Sequence, residues 1–144
     1  MDRLGIAKLL AETGVEMNTF ARPDCLAAWA GLCPGNNESA GKRKRVKTRK
    51  GNVYARTILV EMANAAARTC CYLRDKYQSI VPRMGHKKAV VAIAHKMIHL
   101  VFLIIQRQQP YFDKRADFEA MKVKRNASRW IKALTKYNRL PAAA

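Results

Sequence analysis

Acidic side chains are scarce in this 144-residue chain: ten Asp and Glu stand against 28 Lys and Arg, a formal net charge of +18. That deficit excludes a neutral, inert scaffold and indicates a polyanionic partner, nucleic acid ahead of an anionic membrane surface. Cysteine is sparse and unpatterned. Cys25, Cys33, Cys70 and Cys71 form no C-x-x-C pair and are too few for a disulfide scaffold. They read as reduced, mostly buried thiols of a cytoplasmic protein. Strand-type alternation and internal repeats are both missing. No leader peptide is expected, because Asp2, Arg3 and Lys8 are followed by no long apolar run. The most apolar stretch, residues 89–105, is interrupted by His95, Lys96 and His99. It falls short of a membrane span and reads as a buried helix.

The charge is unevenly distributed. Residues 1–38 carry a net −2, whereas residues 39–59 hold eight basic side chains and no acidic one. The remaining segments, 60–112 and 113–144, each carry +6. The excess begins abruptly after Glu38, as expected for one cationic surface rather than a diffuse bias.

Hydrophobic residues make up 49% of the chain, enough for a core. Their spacing predicts an all-α fold. It is a small multi-helix domain with two long helices packed centrally and a basic irregular loop between the short and long helices. A first helix covers residues 4–13 and stops at Gly14. A short one follows Pro23, capped by Asp24 and ended by Gly31. Asn52 is a good N-cap for a long helix, with Tyr54, Ile58, Met62, Thr69, Leu73, Tyr77 and Ile80 on one face, broken by Pro82 and Gly85. A second runs from about Lys87 to Gln109, is apolar nearly all round, and should be central; Leu103 is placed in its core face. Residues 113–144 form a basic helical tail, set apart from a domain over residues 1–112. Its acidic cluster, Asp113, Asp117 and Glu119, suits a helix N-terminus.

Residues 35–51 hold the most information. Pro34-Gly35-Asn36-Asn37 is a strong turn signal, and seven of the nine residues from Lys42 to Lys50 are basic. Gly41 and Gly51 flank the run and allow close backbone approach to a ligand. The helix start at Asn52, with Arg56 one turn on, favours phosphate oxygens. The candidate phosphate-binding residues are Lys42, Arg43, Lys44, Arg45, Lys47, Arg49, Lys50, Asn52 and Arg56. Seven cations on phosphates give log K a slope of roughly −6 against log salt.

Other chemistries fit less well. A P-loop needs Gly, four residues, then Gly-Lys-Ser/Thr; here Asn36 stands where the first Gly is required and Arg43 follows Lys42. His95 and His99 share a helix face at i, i+4, half of a zinc site, but spacing indicates no third ligand and core histidines are the simpler reading. The ten acids converge on no two-metal centre. Ser39 is ordinarily just a turn serine. Its position at the mouth of the cationic loop would let its hydroxyl attack a phosphodiester, with the cations stabilising the developing charge. No general base is evident in the chain.

Residues 9–14 (Leu-Leu-Ala-Glu-Thr-Gly), Phe20, residues 26–34 (Leu-Ala-Ala-Trp-Ala-Gly-Leu-Cys-Pro), residues 39–42 (Ser-Ala-Gly-Lys), residues 50–52 (Lys-Gly-Asn) and residues 85–89 (Gly-His-Lys-Lys-Ala) form an ordered series. In order and spacing it resembles the C-terminal domain of insertion-sequence transposases that pair a RuvC-like DEDD domain with a serine-bearing domain, a group that includes the pilin-gene inversion recombinases. The resemblance covers residues 5–112. It implies that Ser39 is a nucleophile forming a covalent phosphoserine link to DNA. It also implies a composite site between subunits of a homo-oligomer, with Mg2+ held by DEDD carboxylates outside this chain and no cofactor within it. Some relatives bind a structured guide RNA, and no membrane partner is implied. Two departures stand out: Ser39-Ala40-Gly41 replaces the family's Ser-Gly-Gly, and residues 4–14 match the second helix of a helix-hairpin-helix-like segment whose first helix is not present. Without the DEDD domain, the chain alone is expected to bind nucleic acid without recombining it. A non-catalytic nucleic-acid-binding module and a basic structural or membrane-surface protein remain the alternatives.

Overall fold

The computed structural model describes residues 3–35, 38–43, 47–113 and 118–137, with the backbone alone for residues 38, 39, 42, 43 and 118–122. Six helices follow one another: α1 (Arg3–Thr13), α2 (Pro23–Trp29), α3 (Val53–Arg68), α4 (Tyr72–Met84), α5 (His86–Arg107) and α6 (Phe118–Lys136), with a 3-10 turn at Met17–Thr19. A ladder of two two-residue strands, β1 (Glu38–Ser39) and β2 (Lys42–Arg43), lies between α2 and α3. The fold is all-α, as the periodicity predicts.

Helix α5 is the centre. It buries Ala89, Val90, Ile93, Ala94, Met97, Ile98 and Phe102, and α2, α3 and α4 all pack on it. By length and composition alone it is long and apolar enough to cross a membrane, contrary to the expectation from sequence, yet here it is the core helix. The core face sits one residue from the expected one: Phe102 is 1% exposed, while Leu103 is half-buried at the margin. The helix ends at Gln108, a left-handed residue with φ +52°, before Pro110 is reached.

The first long helix is two. Thr69 and Cys71 are extended, so the chain breaks after Arg68 and restarts at Tyr72. No glycine or proline marks the break. What holds it is remote: the Asp113 carboxylate accepts the Tyr72 N–H at 3.2 Å from both oxygens. A carboxylate there satisfies an orphan donor and faces the positive end of α4. Asp113 therefore caps α4, not the last helix as its sequence position suggests. On α3 the buried face is Ala55, Leu59, Met62 and Ala63, which leaves Tyr54 72% exposed instead of in the core.

Pro82 lies inside α4, near its end, and does not terminate it. Termination falls to Gly85, at φ +76° and ψ 164°, a conformation open essentially to glycine alone. This one residue ends α4 and begins α5. Asp24 is not the cap of α2; Arg22 holds that position and Asp24 occupies the first turn. The cysteines are free but not buried: Cys25 and Cys70 are exposed, Cys33 and Cys71 half-buried.

Truncating Phe102 should therefore cost far more than truncating its neighbour. Phe102→Ala is expected to lower the unfolding free energy by about 3–5 kcal/mol, and Leu103→Ala by clearly less, read from urea midpoints. Equal losses would place the core face wrongly.

Candidate nucleic-acid interface

The loop between α2 and α3 is an antiparallel ribbon in its described residues. At its base the Gly35 N–H donates to the Lys47 carbonyl (3.0 Å) and the Arg49 N–H to the Cys33 carbonyl (3.1 Å), with Pro34 bridged to Thr48. At its tip Glu38 pairs with Arg43 and Ser39 with Lys42. Ala40 and Gly41 make the two-residue turn, at φ +50° and +72°. Two positive φ values match the twist of a tight hairpin, which is why glycine or asparagine favours this place. Ala40, the departure from Ser-Gly-Gly, is thus a left-handed non-glycine residue.

Below the ribbon, two glycines bring backbone against backbone. A Cβ on Gly51 would lie 2.3 Å from the Gly31 nitrogen and 2.4 Å from the Trp29 carbonyl oxygen. The Asn52 N–H then donates to that Trp29 oxygen at 2.9 Å. Gly51 is therefore spent on close approach within the chain, not on approach to a ligand. Gly41, with open space around it, keeps that freedom.

Among the candidate phosphate-binding residues, Lys47, Arg49 and Lys50 are exposed along the returning arm, and Arg56 is half-buried one turn into α3. No described carboxylate pairs with these four cations. Lys42 and Arg43 are placed by backbone beside Ser39 at the tip; Lys44 and Arg45 lie outside the described residues. Asn52 is committed to structure. Its Oδ1 accepts the Ala55 N–H (2.9 Å) and its Nδ2 donates to Glu12 Oε2 (2.7 Å), tying the start of α3 to α1. Exposed Val53 and Tyr54 stand beside these groups, an apolar and aromatic step at the ribbon's foot. Sequence periodicity assigned Tyr54 to the core, so this feature was not legible there.

A model of the "Transposase IS116/IS110/IS902 family" matches residues 1–78. The chain belongs to the IS116/IS110/IS902 transposase family. It is 30% identical over 101 residues to the transposase for insertion sequence element IS1111A of Coxiella burnetii, covering 67% of this chain and 28% of the relative. It is 26% identical over 110 residues to a Pseudomonas aeruginosa protein named "Probable family 20 transposase", covering 73% of this chain and 32% of that one. The chain thus spans about a third or less of the length of these curated relatives. No solved structure matches it.

The Mg2+ chemistry implied by the family resemblance does not fit the side chains described. Among the described residues the grouping of possible metal ligands is one carboxylate with two histidines, Asp24, His95 and His99, rather than converging carboxylates. Hard divalent cations of that kind require an oxygen-rich set.

The turn and the crossing respond oppositely to a methyl group. Ala40→Gly is expected to stabilise the protein by about 0.5–1 kcal/mol, because it relieves a left-handed alanine. Gly51→Ala forces two backbones apart and should destabilise by about 3 kcal/mol or more. Thermal and urea unfolding of both variants measures the contrast.

Proposed function

We propose that this chain is the serine-bearing, DNA-binding part of an insertion-sequence transposase. In this reading the ribbon lies along a DNA backbone, with Lys42, Arg43, Lys44, Arg45, Lys47, Arg49, Lys50 and Arg56 on phosphates and Ser39 at the scissile one. The observation that carries it is the tip: Ser39 precedes a two-residue turn and pairs with Lys42, so the nucleophile's backbone adjoins the first residue of the cationic run. Exposed Lys47, Arg49 and Lys50 extend the cationic edge to the start of α3, where free helix N–H groups also favour phosphate. Asn52 contributes by fixing that helix start. Tyr54 offers an aromatic face to a base or sugar.

The reaction in this reading is one transesterification. Ser39 Oγ attacks the phosphorus of a DNA phosphodiester, the P–O bond to one deoxyribose breaks, and a phosphoserine ester forms. The Oγ proton leaves to a base outside this chain, and the departing deoxyribose oxygen takes up a proton. The cations stabilise charge on the non-bridging oxygens. The partners are DNA, a RuvC-like DEDD domain with its metal, a second copy of the enzyme and, in RNA-guided relatives, a structured RNA; the place of action is the cytoplasm.

Two measurements test it. Lys47→Ala, Arg49→Ala and Lys50→Ala together should weaken binding on all DNA sequences alike, with the slope of log K against log salt flattened by about 0.9 for each phosphate no longer neutralised. Unchanged affinity places the binding surface elsewhere. A suicide DNA substrate offered with the DEDD domain should leave an adduct on residue 39, absent in Ser39→Ala at unchanged DNA affinity. If DNA binds but no adduct forms, the chain is a non-catalytic binding module.

A further inference from the structure

One cluster takes no part in that reading, and it lies beneath the ribbon. His95 and His99 are stacked one turn apart on α5, ring centroids 4.4 Å apart. Across from them, α2 presents Asp24, whose Oδ1 is 3.3 Å from His99 Nε2. Donor atoms of Asp24, His95 and His99 all fall within 4.8 Å of one another. Cys33, at the start of the ribbon, places its Sγ 3.7 Å from His95 Nε2.

The donors of Asp24, His95 and His99 are spaced as ligands around a common centre; Cys33 Sγ lies outside that group of three, beside His95, and closes the fourth position by turning toward the centre when the metal binds. Zinc bonds of about 2.0–2.1 Å to nitrogen and oxygen and about 2.3 Å to sulfur give tetrahedral edges of roughly 3.4 Å between N and O, and roughly 3.6 Å between N and S. The observed 3.3 and 3.7 Å agree with both. A second, independent observation points to a ligand: His99 Nε2 is buried and has no hydrogen-bond partner, despite its nearness to the Asp24 carboxylate. Such an orphaned nitrogen is costly unless something occupies the space before it.

We propose that Asp24, His95, His99 and the Cys33 thiolate form a four-coordinate zinc site that fastens the root of the cationic ribbon to α2 and α5. Mixed nitrogen, sulfur and carboxylate donors select zinc over magnesium or calcium, and four protein ligands make the site structural rather than catalytic. On binding, zinc displaces the Cys33 thiol proton to solvent and joins three segments: the first turn of α2, the outgoing arm of the ribbon and the middle of α5. The Cys33 carbonyl already receives the Arg49 N–H, so the metal would hold both arms at once. This assignment does not depend on Ser39 or on DNA binding.

Cobalt(II) titration of the full 144-residue chain, free of any polyhistidine tag, tests the site. One equivalent should give the d–d bands of tetrahedral cobalt and a sulfur-to-cobalt charge-transfer band, both abolished by one equivalent of zinc. Cys25→Ser with Cys70→Ser and Cys71→Ser leaves Cys33 as the sole thiol and should retain both bands; adding Cys33→Ser should remove the charge-transfer band. His95→Gln, His99→Gln and Asp24→Asn should each weaken zinc at least tenfold. Asp24 is exposed, so Asp24→Asn leaves the fold intact even if a histidine variant does not. Zinc should raise the melting temperature and slow amide exchange at Gly35 and Arg49. The proposal is overturned by absence of tetrahedral bands, by charge transfer that survives Cys33→Ser, by zinc affinity unchanged in Asp24→Asn, or by exchange at the ribbon root that zinc does not slow.

Discussion

The backbone of Gly51 crosses that of Gly31 at a distance no side chain permits, and the placement of the described candidate site residues depends on that crossing. It closes the base of the ribbon, and Asn52 can then donate to Trp29 and start α3 where the ribbon ends. Moving the two strands apart by the thickness of a methyl group would shift the ribbon, the start of α3 and the link from Asn52 to Glu12 together. The site is built on rigid helical ends, although most of its residues lie outside helices.

Helix α5 supplies the other half of the support. Its alanines, Ala89 and Ala94, are fully buried and let neighbouring helices approach closely, while Ile93, Met97, Ile98 and Phe102 fill the space between them. The same helix turns His95 and His99 toward the α2 side, beneath the point where the ribbon leaves. The cationic ribbon and the histidine cluster are therefore neighbours, linked by Cys33, whose Sγ lies 3.7 Å from His95 Nε2.

Charge separates along the same lines. Lys47, Arg49 and Lys50 are exposed and unpaired with described carboxylates, whereas several acids of the body are engaged: Glu12 accepts from Asn52, Asp113 caps α4, and Asp24 meets His99. Carboxylates so engaged leave the ribbon's field unneutralised, as a surface that binds phosphate requires. The family match covers residues 1–78, the ribbon included, while the histidines lie on α5 beyond it.

Local rules were enough for the helical class, the N-cap at Asn52, the position of the central helix and the cationic run bounded by glycines. Each is written in neighbouring residues, where hydrophobic period, capping chemistry and charge act over a few positions. The break at residues 69–71 was not legible, because its cap, Asp113, lies 41 residues away. The face of α3 slipped by one residue, leaving Tyr54 outside, because Tyr54 and Ala55 satisfy the same apolar pattern and only packing chooses between them. Gly51 announced close approach without saying to what, and the tertiary fold decided that it was Gly31. Likewise, the sequence showed His95 and His99 on one helix face, but Asp24 and Cys33 join them only because α2 and the ribbon root are folded onto α5, a meeting that spacing along a chain does not encode.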